Sequence, residues 1–167
     1  MLDPNFARSV VFIVRDDDEE GTFGLVLNRP MDLSVAQACG DQVDAAKNVE
    51  IAINQGGPCP GPLTALHAST QVGGEEVMPG VLFSADREQI ESLMWHNVSP
   101  AKYMAGYAGW APKQLDAEID QGAWVLTPAL PDHIFERREN LWQKLSAWLT
   151  LERRIDWRDV PDDPSVN

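Results

Sequence analysis

With 167 residues the chain is long enough for one domain with a sizeable core and too short for two. An apolar fraction of 44% and six tryptophans exclude intrinsic disorder. A formal net charge of -13 disfavours duplex DNA and anionic membrane surfaces as partners, because the densest basic stretches, Arg137-Arg138 and Arg153-Arg154, are interleaved with acids.

The first fifteen residues carry neither a basic n-region nor a long apolar h-region, so no signal peptide is expected. No apolar run approaches the roughly 20 residues of a membrane span. Cys39 and Cys59 belong to no C-x-x-C pair and read as thiols of a reducing compartment, so a cytoplasmic protein is expected.

In chain order, Ser9–Val14 is a β-branched apolar run and Thr22–Leu27 a second. The acidic Asp16–Glu20 and Gly21 lie between them, which predicts an antiparallel hairpin with a solvated tip. That cluster lacks the spaced ligands and distal bidentate Glu of a calcium loop. Asn28-Arg29-Pro30 ends the second strand, and Asp32 or Ser34 can cap a short helix running to about Cys39, with Gly40 stopping it. Val49–Asn54 is the next strand, and Gln55–Pro62, with three prolines and three glycines, is a dense turn. Leu63–Ala68 resumes a strand, Gly73-Gly74 turns, and Gly80–Phe83 is a further short strand.

Ser84 is the expected N-cap of a helix whose apolar stripe is Ile90, Leu93, Met94 and Asn97. Lys102–Ala105 then leads into Gly106-Tyr107-Ala108-Gly109-Trp110, a strand that bends into a helix. The two glycines suggest a bulge or close backbone approach, and Pro112 fits the first helical position. Leu115 and Ile119 share one helical face, and Gly122 can cap it before a strand from Trp124 to Thr127. Pro131 and Asp132 open the last helix, with Leu141, Leu145, Trp148 and Leu149 as its apolar face. The acidic, proline-rich stretch 156–167 reads as a tail with Trp157 as its one anchor, leaving 1–155 as a single domain. Neighbouring strands without a regular βαβ rhythm indicate α+β with a largely antiparallel sheet.

Catalytic signatures are sparse. The chain has no G-x-x-x-x-G-K-[ST], no G-x-G-x-x-G opening a helix, no G-x-S-x-G and no H-E-x-x-H. His67, His96 and His133 are scattered, so neither metal nor cofactor is expected. Cys59 and His67 are the one nucleophile–base combination beside a glycine-rich turn, but nothing marks a third member to orient the base. Asp116 and Asp120 share a helical face with Glu118 nearby, and on an acidic helix such carboxylates read as solvated charge.

Several motifs together carry a resemblance. Asp3-Pro4-Asn5-Phe6 with Ser9-Val10-Val11, Gly24–Pro30, Gly56-Gly57-Pro58 followed by Leu66-His67, and Gly106–Trp110 with Gln114-Leu115, Glu118-Ile119 and Trp124 are similar to the AlgH/YqgE family of bacterial proteins, as are Ile134-Phe135, Leu141-Trp142 and the closing Asp163–Asn167. Two departures stand out: Arg15-Asp16-Asp17 where many members have Glu-His-Asn, and Cys59 where many have a small aliphatic residue. The resemblance implies one α+β domain whose bifurcated, mostly antiparallel sheet curls into a pseudo-barrel with flanking helices. It supplies no catalytic residues; the family's name comes from a proposed role in transcriptional regulation of alginate synthesis, and most members have no known function.

The expected function is therefore a non-enzymatic regulatory or interaction protein, acting indirectly through a protein partner or a small ligand. The alternative is a small hydrolase or transferase with a site near Cys59 and His67. Irregular backbone beside glycine exposes N–H groups, so the expected ligand- or partner-binding residues are Asn28, Arg29, Gly56, Gly57, Pro58, His67, Gly109, Trp110 and Gln114. The Asn28–Pro30 corner, the Gly56–Pro58 turn and the Gly109-Trp110 joint are expected to line one groove.

Overall fold

The computed structural model describes residues 6–39, 42–135 and 140–152; the acidic tail, with Trp157, lies outside them. β1 (Val11–Asp17) and β2 (Gly21–Val26) form the expected antiparallel hairpin. β1 runs past the apolar stretch because its aspartates build the turn instead of dangling from it. Asp17 accepts the N–H groups of Glu19 and Glu20 at 2.8 Å each, and Asp16 accepts the Thr22 hydroxyl.

β3 (Pro30–Ser34) enters α1 (Val35–Cys39) through a reciprocal cap: the Gln37 N–H donates to Ser34 Oγ and the Ser34 N–H to Gln37 Oε1. A 3-10 turn at Asp44–Ala46 leads to β4 (Ala52–Gln55), which starts later than the predicted Val49. The Val49 and Ile51 carbonyls are committed elsewhere, accepting the Ala36 and Val35 N–H groups at the start of α1. β5 (Cys59–His67) begins inside the proline-rich stretch, and a register shift between Cys59 and Leu63 absorbs the prolines. β6 (Glu75–Met78) was not foreseen; it is an edge strand held by β7 (Val81–Ser84).

The N-cap of α2 (Arg87–Trp95) is Asp86, not Ser84, which ends β7 fully buried. Ile90, Leu93 and Met94 form the buried stripe, while Asn97 lies exposed beyond the helix. β8 (Ala101–Trp110) leads to α3 (Gln114–Asp120), where Lys113, at φ 62°, takes the N-cap and leaves Pro112 outside the helix. Gly122 closes α3 as expected: its N–H reaches Ile119 O and that of Ala123 reaches Glu118 O, with Gly122 at φ 74°. Trp124–Thr127 forms no strand; the Trp124 indole turns back to Glu118 instead. The expected last helix is two helices, α4 (Pro131–Phe135) and α5 (Leu141–Glu152).

The strands lie in the order β1-β2-β8-β5-β7-β6, each of these neighbours antiparallel. One edge of β8 carries β5. The other carries β4, in parallel at Met104 and Ala105, and then β2 from Ala108 to Trp110, so the sheet forks along β8. Gly56 and Gly57 sit at that fork. The Gly56 N–H donates to Ala105 O and its carbonyl accepts the Val26 N–H, while a Cβ on either glycine would strike the backbone of Gly106 or Tyr107.

Of the three core clusters among the described residues, one joins Ala108, Trp110 and Leu115, and the other two follow from strand alternation along β5. Leu63 and Ala65 face a cluster closed by α1, the 3-10 turn and α2. Leu66 faces the inside of the curl, with Phe12, Leu25 and Met104, where Ile134 of α4 and Leu141 of α5 fill the space. Arg15 of β1 meets Glu75 of β6 at 2.8 Å, joining the two ends of the strand order. The result is a single α+β domain whose mostly antiparallel sheet nearly closes into a barrel.

Candidate functional site

Most of the residues singled out from sequence make bonds within the chain. Asn28 pins residues 8–10: its Oδ1 accepts the Val10 N–H at 2.8 Å and its Nδ2 donates to Arg8 O at 2.9 Å. The Arg29 guanidinium donates to Ala7 O at 3.3 Å, and Pro58 is exposed just ahead of β5. Trp110 is buried, stacked on Phe6, on the face of the hairpin that carries Val11 and Ile13. Gly109 pairs with Phe23 and stays exposed. Gln114 opens α3, its Oε1 accepting the N–H of Ala111 just before the helix. The Asn28-Arg29 corner and Trp110 thus converge, and what they converge on is the chain's own residues 6–10.

Glu118 is the centre of a tight polar cluster. Trp110 and Trp124 donate their indole N–H groups to Oε2 at 3.1 and 2.7 Å, and Gln114 Nε2 donates to Oε1 at 2.9 Å. Partial burial works to raise this carboxyl, and the donors from Trp124, Gln114 and Trp110 outweigh it, leaving it below its ordinary value. A carboxylate held ionised by three donors ties α3 to β8; it is not poised to give up a proton.

Cys59 and His67 stand at opposite ends of β5, opposite Tyr107 and Ala101 of β8 and on the order of 20 Å apart, so they form no nucleophile–base pair. His67 is fully buried and its Nε2 lies 3.0 Å from Ser84 Oγ. A serine beside an imidazole invites a catalytic reading, but the tautomer forbids it. The Ser69 N–H donates to Nδ1, which therefore carries the lone pair, and Nε2 carries the proton and donates to Ser84. A general base needs a lone pair on the nitrogen facing the hydroxyl. Burial pushes this imidazole below its ordinary value, so it stays neutral near pH 7. His96 bonds Ser92 O, and His133 accepts the Leu130 N–H.

The structure brings other residues together. Between β1 and β6 the barrel opens into a cavity of about 560 Å³. Its walls are Val14 of β1, Phe23 of β2, Phe83 of β7 and Tyr107 of β8, with Thr64 of β5 among them. The aromatic rings brace one another: Phe23 lies 5.6 Å from Phe83 and 5.3 Å from Tyr107. The Arg15–Glu75 pair and Gln89 of α2 also line it. Thr64 is 6% exposed, and its hydroxyl has no hydrogen-bond partner among the described residues. Gly74, also in the lining, lies so close to the His67–Ser84 pair that a Cβ there would come within 2.9 Å of Ser84 Oγ. None of these four wall residues was among the binding residues expected from sequence, although Tyr107 lies inside the Gly106–Trp110 motif. The one legible signal was Thr64, a polar residue at the same strand parity as Leu66 and hence facing the core.

Comparison with known proteins places these features. Residues 1–153 match the family described as AlgH-like. A UPF0301 protein of Streptomyces coelicolor is 35% identical over 180 residues, covering 100% of this chain and 90% of that relative. One from Chlorobaculum tepidum is 32% identical over 151 residues, covering 86% and 78%. Among solved structures, the solution structure of the AlgH protein from Pseudomonas aeruginosa superposes with a TM-score of 0.73 at 25% identity, covering 93% of this chain and 88% of that one. A crystal structure of a Corynebacterium diphtheriae protein gives 0.65 at 26%, covering 87% and 79%.

Proposed function

The chain belongs to the AlgH-like family, and from that premise we propose that it is a non-enzymatic regulatory protein that works by capturing a small ligand in the barrel cavity. The observation that carries this is the cavity itself: about 560 Å³, walled by braced aromatic side chains on strands, with Gln89 and the Arg15–Glu75 pair as polar groups in its lining. That size and lining fit small-molecule sites, which are mostly apolar with a few placed polar groups. A hydrolase centred on Cys59 and His67 draws no support from two residues at opposite ends of one strand. Regulation by such a protein runs through the ligand or a protein partner; a net charge of -13 supports that route over contact with duplex DNA. Two free cysteines support residence in the reducing cytoplasm, and no helix among the described residues is long and apolar enough to cross a membrane.

The test is capture from cell extract by the wild-type protein and by Val14→Trp, which fills the cavity from β1. Small molecules retained by each are extracted and identified by mass spectrometry. The wild type should hold a molecule that the variant does not, with both proteins folded and their thermal midpoints within a few degrees. Identical extracts from two folded proteins would remove the cavity from the function.

A further inference from the structure

The lining also indicates which chemistry the cavity takes; this step rests on the cavity being a ligand site. Strand alternation by itself would put Gly106, not Tyr107, on the face of β8 that carries Met104. The backbone departs from that alternation at Gly106, whose φ is 74°, and β5 shifts register opposite it, between Cys59 and Leu63. Tyr107 therefore packs against the same cluster as Met104, inside the curl, with its ring beside Phe23. Gly61 leaves room for that ring, since a Cβ there would come 3.1 Å from Tyr107 Cδ1. An irregularity shared by two strands thus turns an aromatic side chain into the cavity wall.

The polar groups of the lining sort by whether a ligand can reach them. Arg15 and Glu75 are bonded to each other at 2.8 Å, so an ionic ligand would have to break that pair to gain a counter-charge. The Thr64 hydroxyl is sealed behind the wall. The Gln89 carboxamide and the Tyr107 phenol belong to half-buried side chains and have no hydrogen-bond partner among the described residues, yet neither is shut away from water as Thr64 is. The phenol offers one rotatable hydroxyl, which donates or accepts without discrimination. The carboxamide holds a donor and an acceptor side by side in one plane, and so selects a ligand edge carrying the same two groups in the opposite order. Its Nε2 would be 3.8 Å from a Cβ on Gly73, which puts it by the turn that enters β6.

We propose that the cavity binds a neutral, planar ring compound with an N–H beside a C=O, the edge of a lactam or cyclic ureide. Gln89 Nε2 donates to that carbonyl and Oε1 accepts that N–H, while the ring lies against Phe23, Phe83 and Tyr107. The Arg15–Glu75 pair stays intact as the outer clasp between the two edge strands.

The probes are 2-quinolinone, a planar lactam, and N-methyl-2-quinolinone, the same rings and carbonyl without the N–H. Both are titrated by calorimetry into the full chain and into Gln89→Met, Tyr107→Phe and Val14→Trp, each verified as folded by circular dichroism. The wild type should bind the lactam about tenfold more tightly than its N-methyl form, the effect of one lost hydrogen bond and an acceptor left unpaired. Gln89→Met keeps the length of the side chain and the helix propensity but deletes the paired edge. It should bring the two probes to within about twofold of each other, a coupling between probe and residue that a merely structural Gln89 would not produce. Tyr107→Phe should leave the preference in place, and Val14→Trp should abolish binding of both probes. Equal binding by the wild type, a preference that survives in Gln89→Met, or one that disappears in Tyr107→Phe would each overturn the lactam edge while leaving the cavity as a site. Absence of saturable binding by either probe would overturn it too, and capture from extract would then judge the cavity on its own. Binding unaffected by Val14→Trp would remove the cavity reading and this inference with it.

Discussion

His67 shows how one bond at a single residue decides between two roles. The Ser69 N–H on Nδ1 fixes the proton on Nε2, so the imidazole donates to Ser84 and cannot take its proton. Burial lowers its folded-state pKa, and the unfolded chain therefore binds the proton more readily. For a depressed group, the stabilising contribution is full above the unfolded value, near pH 6.5, and is lost as pH falls through the folded value. The wild type should lose at most about 1.4 kcal/mol per pH unit from this site below about pH 6.5. His67→Gln keeps a neutral N–H donor that does not titrate. Urea midpoints measured at intervals from about pH 7.5 to 5 should show a flatter profile for the variant than for the wild type; two parallel profiles would refute the assignment.

At the scale of elements, the fork in β8 and the end of α3 both depend on glycine, for different reasons. Gly57 is pressed onto the Tyr107–Ala108 backbone, and a Cβ there would overlap main-chain atoms that cannot rotate away. A Cβ on Gly122 would meet nothing within 4 Å, and glycine is required there only by its φ of 74°. Gly122→Ala should therefore cost about 1 kcal/mol and leave the fold intact. Gly57→Ala should abolish the native amide spectrum or lower the midpoint several times further. Equal destabilisation by the two substitutions would show that the fork tolerates separation of β4 from β8. The same contrast explains why the Gly56-Gly57-Pro58 motif is so prominent in the sequence: it is where three strands share one backbone line.

For the molecule as a whole, charge and closure set the limits on partners. A gel-shift at physiological salt should show no competitor-resistant complex with any duplex DNA, since phosphate contacts need a basic surface and the chain carries a net charge of -13. One tight, sequence-selective complex would reverse that expectation. Closure between β1 and β6 rests on the exposed Arg15–Glu75 pair, and such pairs contribute about 0–1 kcal/mol. The barrel is thus held by its strand ladders and its three core clusters, with the clasp as a light seam over the cavity.

The hairpin, the stripe of α2, the glycine end of α3 and the α+β class were all legible in the sequence, because they depend on local periodicity and on residues a few positions apart. So was family membership, which ordered motifs carry along the whole chain. Other features were set by partners distant in the chain. β6 reads as a polar loop until β7 pairs with it, and Trp124 reads as the start of a strand until Glu118 takes its indole N–H. The cavity belongs wholly to this second kind. Val14, Phe23, Thr64, Phe83 and Tyr107 lie on five strands whose order in the sheet is not their order in the sequence. Strand period tells which face each residue takes; only the pairing of β1, β2, β8, β5 and β7 puts those faces around one space and leaves the Thr64 hydroxyl buried without a partner among the described residues.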